Sequence, residues 1–281
     1  MFKWIILLLM FSNSLLGESL LITDSFSLQL NKRLQNNQNT PTYSKSSKFK
    51  YDHYFTWILK NLLNRKLYSN TPQEGEWAFY VSQEKSLPLP TQLSLMSSSL
   101  DDFEHLAKNL SNQKKKFDNA VVYLPLLDLC HVVENFNAST KNYVKWKFEE
   151  FLEPAQKNIP SVKVIHSNNV LSWMGMRDAK KKLATCMAKD VNDLMIKLTF
   201  CPRLALLMQQ EIPKEMLTKI ANQMRSLKKE TEDYVKNNSS KIVLLNESDY
   251  FNLSSVHFDK DCVHLNSEGH KLLASKLKDI F

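Results

Sequence analysis

The chain has 281 residues, a net charge of +8 and a pI near 9.1, with 43% hydrophobic and 23% charged residues. That length suffices for one large domain burying roughly three quarters of the surface its unfolded chain exposes, and the composition excludes a disordered chain and a multi-span membrane protein. Only four glycines occur, Gly17, Gly75, Gly175 and Gly269, far below the usual roughly 7%, so Gly-rich phosphate loops and dinucleotide fingerprints are excluded and no cofactor is expected.

In chain order, Met1-Phe2-Lys3 and the apolar run from Trp4 to Phe11 give a basic start and a hydrophobic stretch too short to span a bilayer. This predicts a signal peptide over residues 1–14, with Ser12 and Ser14 at the positions a peptidase reads and Gly17 as the alternative end. Gly17-Glu18-Ser19 argues against an apolar anchor continuing to Ile22, so a secreted or lumenal protein is expected, with a single domain over 15–281.

Leu20 to Thr23 predicts a strand that ends in Asp24-Ser25 and leads into a helix from Phe26 to Leu34. Residues 36–50 are polar and read as a loop, before a helix over Tyr54 to Leu63. Glu76 to Val81 predicts a second strand, and Ser99 to Leu106 an N-capped helix. Ala120 to Leu124 predicts a fully buried strand. A helix from about Lys141 to Gln156 and a strand over Val162 to Ile165 follow. Met176 to Tyr234 is helical in pattern, broken at Cys201-Pro202, and reads as a helical insertion over about 171–240. Ile242 to Leu245 predicts the last strand, and Ser267 begins a terminal helix. Strands alternating with helices predict an α/β fold with a parallel sheet covered on both faces.

The positive charge suits an anionic partner, whether nucleic acid, anionic lipid or a lipopolysaccharide-like surface. The runs Lys114-Lys115-Lys116 and Lys180-Lys181-Lys182 read as solvated helix ends. Six Asn-x-Ser sequons, at Asn109, Asn137, Asn237, Asn238, Asn246 and Asn252, fit a secreted glycoprotein. Cys130, Cys186, Cys201 and Cys262 form an even set, so disulfides are expected with three connectivities open. No Cys-x-x-Cys or His-x-x-x-His spacing suggests a metal site.

In an open α/β sheet, residues at the carboxyl ends of the strands gather in one crevice. Ser25 follows such an end and precedes a predicted helix, whose N–H groups favour developing negative charge. A serine hydroxyl needs a base to attack. His264, just before the terminal helix, is the candidate base, and Asp261 the residue that holds its imidazole in the useful tautomer. Taken singly, a serine after a strand is usually a helix cap and Asp-x-x-His usually a turn; their placement at the two ends of one α/β chain carries the reading.

Leu21-Ile22-Thr23-Asp24-Ser25-Phe26-Ser27 resembles the first block of the SGNH, or GDSL, hydrolase superfamily, and Asp261-Cys262-Val263-His264-Leu265-Asn266 resembles its last block. Phe117 to Cys130 resembles the third block of the eukaryotic phospholipase B and acyloxyacyl hydrolase branches, and Ser97-Ser98-Ser99-Leu100 falls where the second would lie. The resemblance covers the chain from about residue 20 to its end. It implies a three-layer α/β/α flavodoxin-like fold and a secreted serine ester hydrolase with Ser25, Asp261 and His264 as catalytic residues. The Ser25 and Ser98 N–H groups would form the oxyanion hole. It further implies an acyl ester, most naturally of a lipid, as substrate, a peripheral membrane or anionic lipid surface as site of action, and no nucleic-acid partner.

Three departures stand out. Thr23 replaces the opening Gly, and Ser97 or Ser98 the second-block Gly, where any non-Pro backbone can still donate its N–H. Leu127 replaces the third-block Asn, and loss of one oxyanion donor costs about 10²–10³ in turnover. A catalytically weakened lipid- or glycan-binding protein and a carbohydrate O-acetyl esterase are therefore the alternatives. His131 and His166 lie beside predicted strand ends, where either could border the crevice; ordinary polar surface is the plainer reading for both. A Cys130–Cys262 disulfide would brace the site, and a Cys186–Cys201 pairing is equally open. The apolar residues between Trp173 and Met208 read as core packing before an acyl-chain cover.

Overall fold

The structure, a computed structural model, describes residues 18–24, 68–95, 116–135, 139–156, 159–166, 203–204, 207, 213–238, 242–246, 255–257 and 265–278. Its strands are β1 (Ser19–Asp24), β2 (Tyr68–Asn70), β3 (Thr91–Leu95), β4 (Asn119–Tyr123), β5 (Ser161–His166) and β6 (Ile242–Asn246). They form one sheet in the order β2-β3-β1-β4-β5-β6. Five strands, β3, β1, β4, β5 and β6, are parallel, and β2 adds an antiparallel edge. Four of the predicted strands are therefore present, in the parallel sheet that the alternation of strands and helices implied.

Burial explains their sequences. β1 and β4 are covered on both faces, so both read as continuous apolar runs rather than alternating ones. The edge strand β6 leaves Val243 exposed. Register aligns the carboxyl ends: Thr23 pairs with Tyr123, Tyr123 with Ile165, and His166 with Asn246.

The helices are α1 (Trp77–Glu84), α2 (Pro125–Glu134), α3 (Thr140–Trp146), α4 (Lys214–Asn238) and α5 (Ser267–Leu277). A π turn, Lys147–Leu152, extends α3 into a last turn at Glu153–Gln156. The predicted helix over 141–156 is thus one continuous rod with a widened middle. α4 lies in the segment read as an insertion and connects β5 to β6, whose parallel pairing requires such a crossover. It buries Ile220, Met224, Leu227 and Thr231, a stripe at helical spacing, and packs with α2 and α3, while its Tyr234 stacks on Phe148 of the π turn at 4.8 Å. α1 and α5 form a separate packed pair.

One predicted strand is wrong. Glu76 to Val81 carries a run of aromatic and branched residues, but Trp77–Glu84 is helix. Its buried positions, Trp77, Ala78, Val81 and Ser82, share one helical face, and packing against α5 outweighs local strand preference. The second strand of the parallel set is instead β3, Thr-Gln-Leu-Ser-Leu, which pairs with β1 on the side away from β4 and lies just after Pro88 and Pro90. The predicted signal peptide, the helices over 26–34, 54–63 and 99–106, and the part of the insertion before residue 203 lie outside the described residues. Among the described residues no helix is long and apolar enough to cross a membrane.

Candidate functional site at the carboxyl edge of the sheet

Numbered along the chain, the five parallel strands run 2-1-3-4-5, so successive connections leave β1 in opposite directions. The crevice outside the strand ends at such a reversal is where open α/β sheets bind ligands. β1 ends there on Asp24, only 3% exposed. Its Oδ2 accepts the N–H of Leu126 at 2.7 Å and of Leu127 at 3.3 Å. Both donors belong to the first turn of α2, which Pro125 starts, and a carboxylate is favoured against those unpaired N–H groups and the positive end of the helix dipole.

α2 is locked in turn. Asp128, also in its first turn and buried, accepts from the Tyr143 hydroxyl at 2.9 Å and from Lys147 Nζ at 2.7 Å, both at Oδ1. Its Oδ2 is buried without a hydrogen-bond partner. Lys147 opens the π turn and is itself only 4% exposed, with its ammonium group against Asp128. Tyr143 stacks on His131 at 3.9 Å and on Trp146 at 5.9 Å. A buried pair of this kind stabilises little in net terms but makes removal of either partner costly.

Two histidines border the pair. Of the two readings that the sequence leaves for His131 and His166, a border of the crevice and ordinary polar surface, the plainer one fails: His166 is 3% exposed at the end of β5 and His131 is half-buried against Tyr143. Burial lowers the pKa of each from 6.5 to about 4, opposed by the Asp128 carboxylate and reinforced by Lys147. Both rings are therefore neutral near pH 7. Burial, then Asp128, then Asp24, raises the Tyr143 hydroxyl well above its ordinary range.

A second chain of contacts leads from the same sheet edge to α5. Trp77 packs edge-on to Tyr123 at 6.0 Å and donates its backbone N–H to His270 Nδ1 at 3.3 Å. The N-terminus of α5 is capped by Asn266, whose side chain accepts from the N–H of Glu268 and Gly269, both at 3.0 Å, and donates to the Val256 carbonyl at 2.7 Å. The Asn266 N–H donates to the His257 carbonyl at 2.9 Å. The turn Ser255–His257 is thereby tied to the N-terminus of α5.

The predicted catalytic residues Ser25, Asp261 and His264 and the predicted oxyanion donor Ser98 all lie outside the described residues, as do Cys186, Cys201 and Cys262. Ser25 follows directly on Asp24, and His264 directly precedes Leu265. Leu127 is described: its side chain is part of the hydrophobic core and its N–H is committed to Asp24, so the position of the third-block Asn presents no side-chain donor. Cys130 is buried and disulfide-bonded. Among the described residues no His, Cys, Asp or Glu cluster could hold a metal ion.

The sequence reading missed Lys147 and Tyr143. Their only signal was a four-residue spacing that sets both on one helix face with apolar neighbours. Neither a scan of the chain against protein-family models nor a search of curated proteins finds a match.

Proposed function

We propose that this protein is a secreted serine ester hydrolase of the SGNH kind, acting on acyl esters of a lipid. The observation that carries the reading is the position of β1. It lies at the strand-order reversal and ends on a buried, doubly hydrogen-bonded Asp24, so the next residue in the chain is Ser25. The order 2-1-3-4-5 is that of flavodoxin-like sheets, and the two helix groups, α1 with α5 and α2 with α3 and α4, suit a three-layer arrangement. The contacts through Trp77 and His270 support a base and its orienting acid supplied from the segment before α5.

In this mechanism the Ser25 hydroxyl adds to the ester carbonyl carbon while His264 takes its proton, and Asp261 holds the imidazole and stabilises its cation. The N–H groups of Ser25 and Ser98 receive the oxyanion. Collapse of the adduct releases the alcohol, protonated by His264, and water then attacks the acyl-serine with His264 again as base. The acyl-lipid substrate and the secretory location rest on the sequence resemblance and the basic charge.

Leu127 favours a second reading, a lipid- or glycan-binding protein of the same fold with feeble turnover, because that side chain lies in the core. A fluorophosphonate probe distinguishes them. Covalent labelling that maps to Ser25 and vanishes in Ser25→Ala is the expected result, with free fatty acid released from phospholipid vesicles. No labelling of the wild-type protein would sink the hydrolase reading, and acetate as the sole acyl product would sink the lipid substrate.

A further inference from the structure

We propose that the exposed face of α4 over Lys214–Lys229 is a docking surface for an anionic phospholipid bilayer. The choice of a lipid rests on the hydrolase reading above; the surface itself rests on α4 alone. Lys214, Thr218, Asn222, Arg225 and Lys229 recur at helical spacing and are all exposed, opposite the buried stripe of Ile220, Met224 and Leu227. Lys214, Arg225 and Lys229 make this row cationic, no acid interrupts it, and it is about 23 Å long. From Lys214 to Lys229 the helix holds five cations and one anion, Glu215; beyond Lys229 the balance reverses, with Glu230, Glu232 and Asp233 against Lys236. A helix dipole favours the opposite order, acids first and bases last. The segregation therefore does not serve the helix itself, and it leaves a cationic surface for a partner outside it.

Packing sets where that surface lies. The Thr140 and Ser226 hydroxyls are 3.1 Å apart and Phe148 stacks on Tyr234, so α3 and α4 run side by side in the same direction. α3 leads through its last turn toward the amino end of β5, and α4 toward that of β6. The stretch from Lys214 to Arg225, about 18 Å of helix, thus extends past the start of α3 on the side of the carboxyl edge. A bilayer suits the row better than a nucleic acid does: it lies on the convex side of one helix, and it carries no aromatic side chain on which bases would stack. With no apolar residue on it either, adsorption is electrostatic, without insertion.

Co-sedimentation of the full chain with phosphatidylcholine vesicles, with and without about 30% phosphatidylserine, tests this at about 0.1 M salt. Wild type should bind only the anionic vesicles and should dissociate at about 1 M salt, where charges are screened within about 3 Å. Each basic residue at an anionic leaflet contributes roughly five-fold, so joint replacement by Lys214→Gln, Arg225→Gln and Lys229→Gln should lower the partition coefficient on the order of 100-fold. If that triple variant does not fold, Lys229→Gln alone, with a loss of about five-fold, takes its place. Lys271→Gln, Lys276→Gln and Lys278→Gln together remove the same charge from α5, in the other helix group, and should stay within about five-fold of wild type. Equal binding to neutral vesicles, an α4 variant that binds as wild type does, or an α5 variant that falls as far overturns the inference. Tighter binding to an RNA oligonucleotide than to the vesicles at equal phosphate concentration, lost in the same α4 variant, overturns the lipid assignment. A chain that binds the vesicles but takes no fluorophosphonate label at Ser25 loses the hydrolase reading alone, and one that labels without binding loses this inference alone.

Discussion

Replacing His166 by Asn isolates how a buried imidazole couples this fold to pH. His166 has a folded pKa of about 4 because burial disfavours its charged form; Asp128 opposes that shift, while Lys147 and Lys228 reinforce it. Unfolded, the ring titrates near 6.5. A depressed histidine pKa means that the unfolded chain binds more protons between those values, so the stabilisation is complete above pH 6.5 and is lost as pH falls toward 4. Worked through the linkage relation, lowering the pH from about 8 to about 5 removes about 2 kcal/mol through this one side chain. His131 shifts in the same direction but is more exposed, so its share is smaller.

The assay is urea denaturation of wild type and His166→Asn at about pH 8 and about pH 5. Asn costs stability at both pH values through altered packing, so the informative quantity is the difference between the two pH values. With a urea slope of about 3 kcal/mol/M, the wild-type midpoint should fall by about 0.7 M more than that of the variant. Equal pH dependence in the two proteins would refute a buried, neutral His166.

Other consequences follow from the same geometry. Lys147→Met strips the charge partner from buried Asp128 and should destabilise by about 3–5 kcal/mol, whereas adding Asp128→Leu should recover part of that loss; strictly additive effects in thermal melts would contradict the pairing. A Cβ on Gly269 would lie 2.3 Å from the His257 carbonyl oxygen, a backbone atom that cannot swing away. Gly269→Ala should therefore cost about 1–3 kcal/mol and lower the melting temperature by several degrees. An unchanged melting temperature would show that the turn at Ser255–His257 does not pack on α5 as described. Under the hydrolase reading, the same substitution slows Ser25 labelling, because it displaces His257 from the N-terminus of α5, whose cap Asn266 follows His264 by two residues in the chain.

Hydrophobic patterning made much of the sheet legible. β1 and β4 stand out because strands buried on both faces must be apolar throughout, β5 and β6 because they are short runs of branched apolar residues, and the intervening helical segments imply parallel pairing. The terminal helix was equally plain from its polar start and apolar spacing. Trp77 to Val81 misled because a short aromatic run fits either a strand or a buried helix face, and only its packing against α5 decides. β3 escaped notice because five residues after two prolines carry too little pattern.

The residue types of the candidate site were visible in the sequence, Asp24-Ser25 at one end and Asp261 and His264 at the other. Its surroundings were not. Asp24 reaches Leu126 and Leu127 across about a hundred residues, and Asp128 reaches Lys147 only because a π turn follows α3. Such contacts depend on which helix ends the sheet gathers at one edge, and no local pattern encodes that. By itself the sequence determined the parallel α/β class, because periodicity and burial are local consequences of side-chain type. Only the tertiary structure decided that Asp24 accepts the N–H groups of the first turn of α2, that Leu127 belongs to the core and that His166 is a buried neutral ring. Each of those states depends on what surrounds the residue in space.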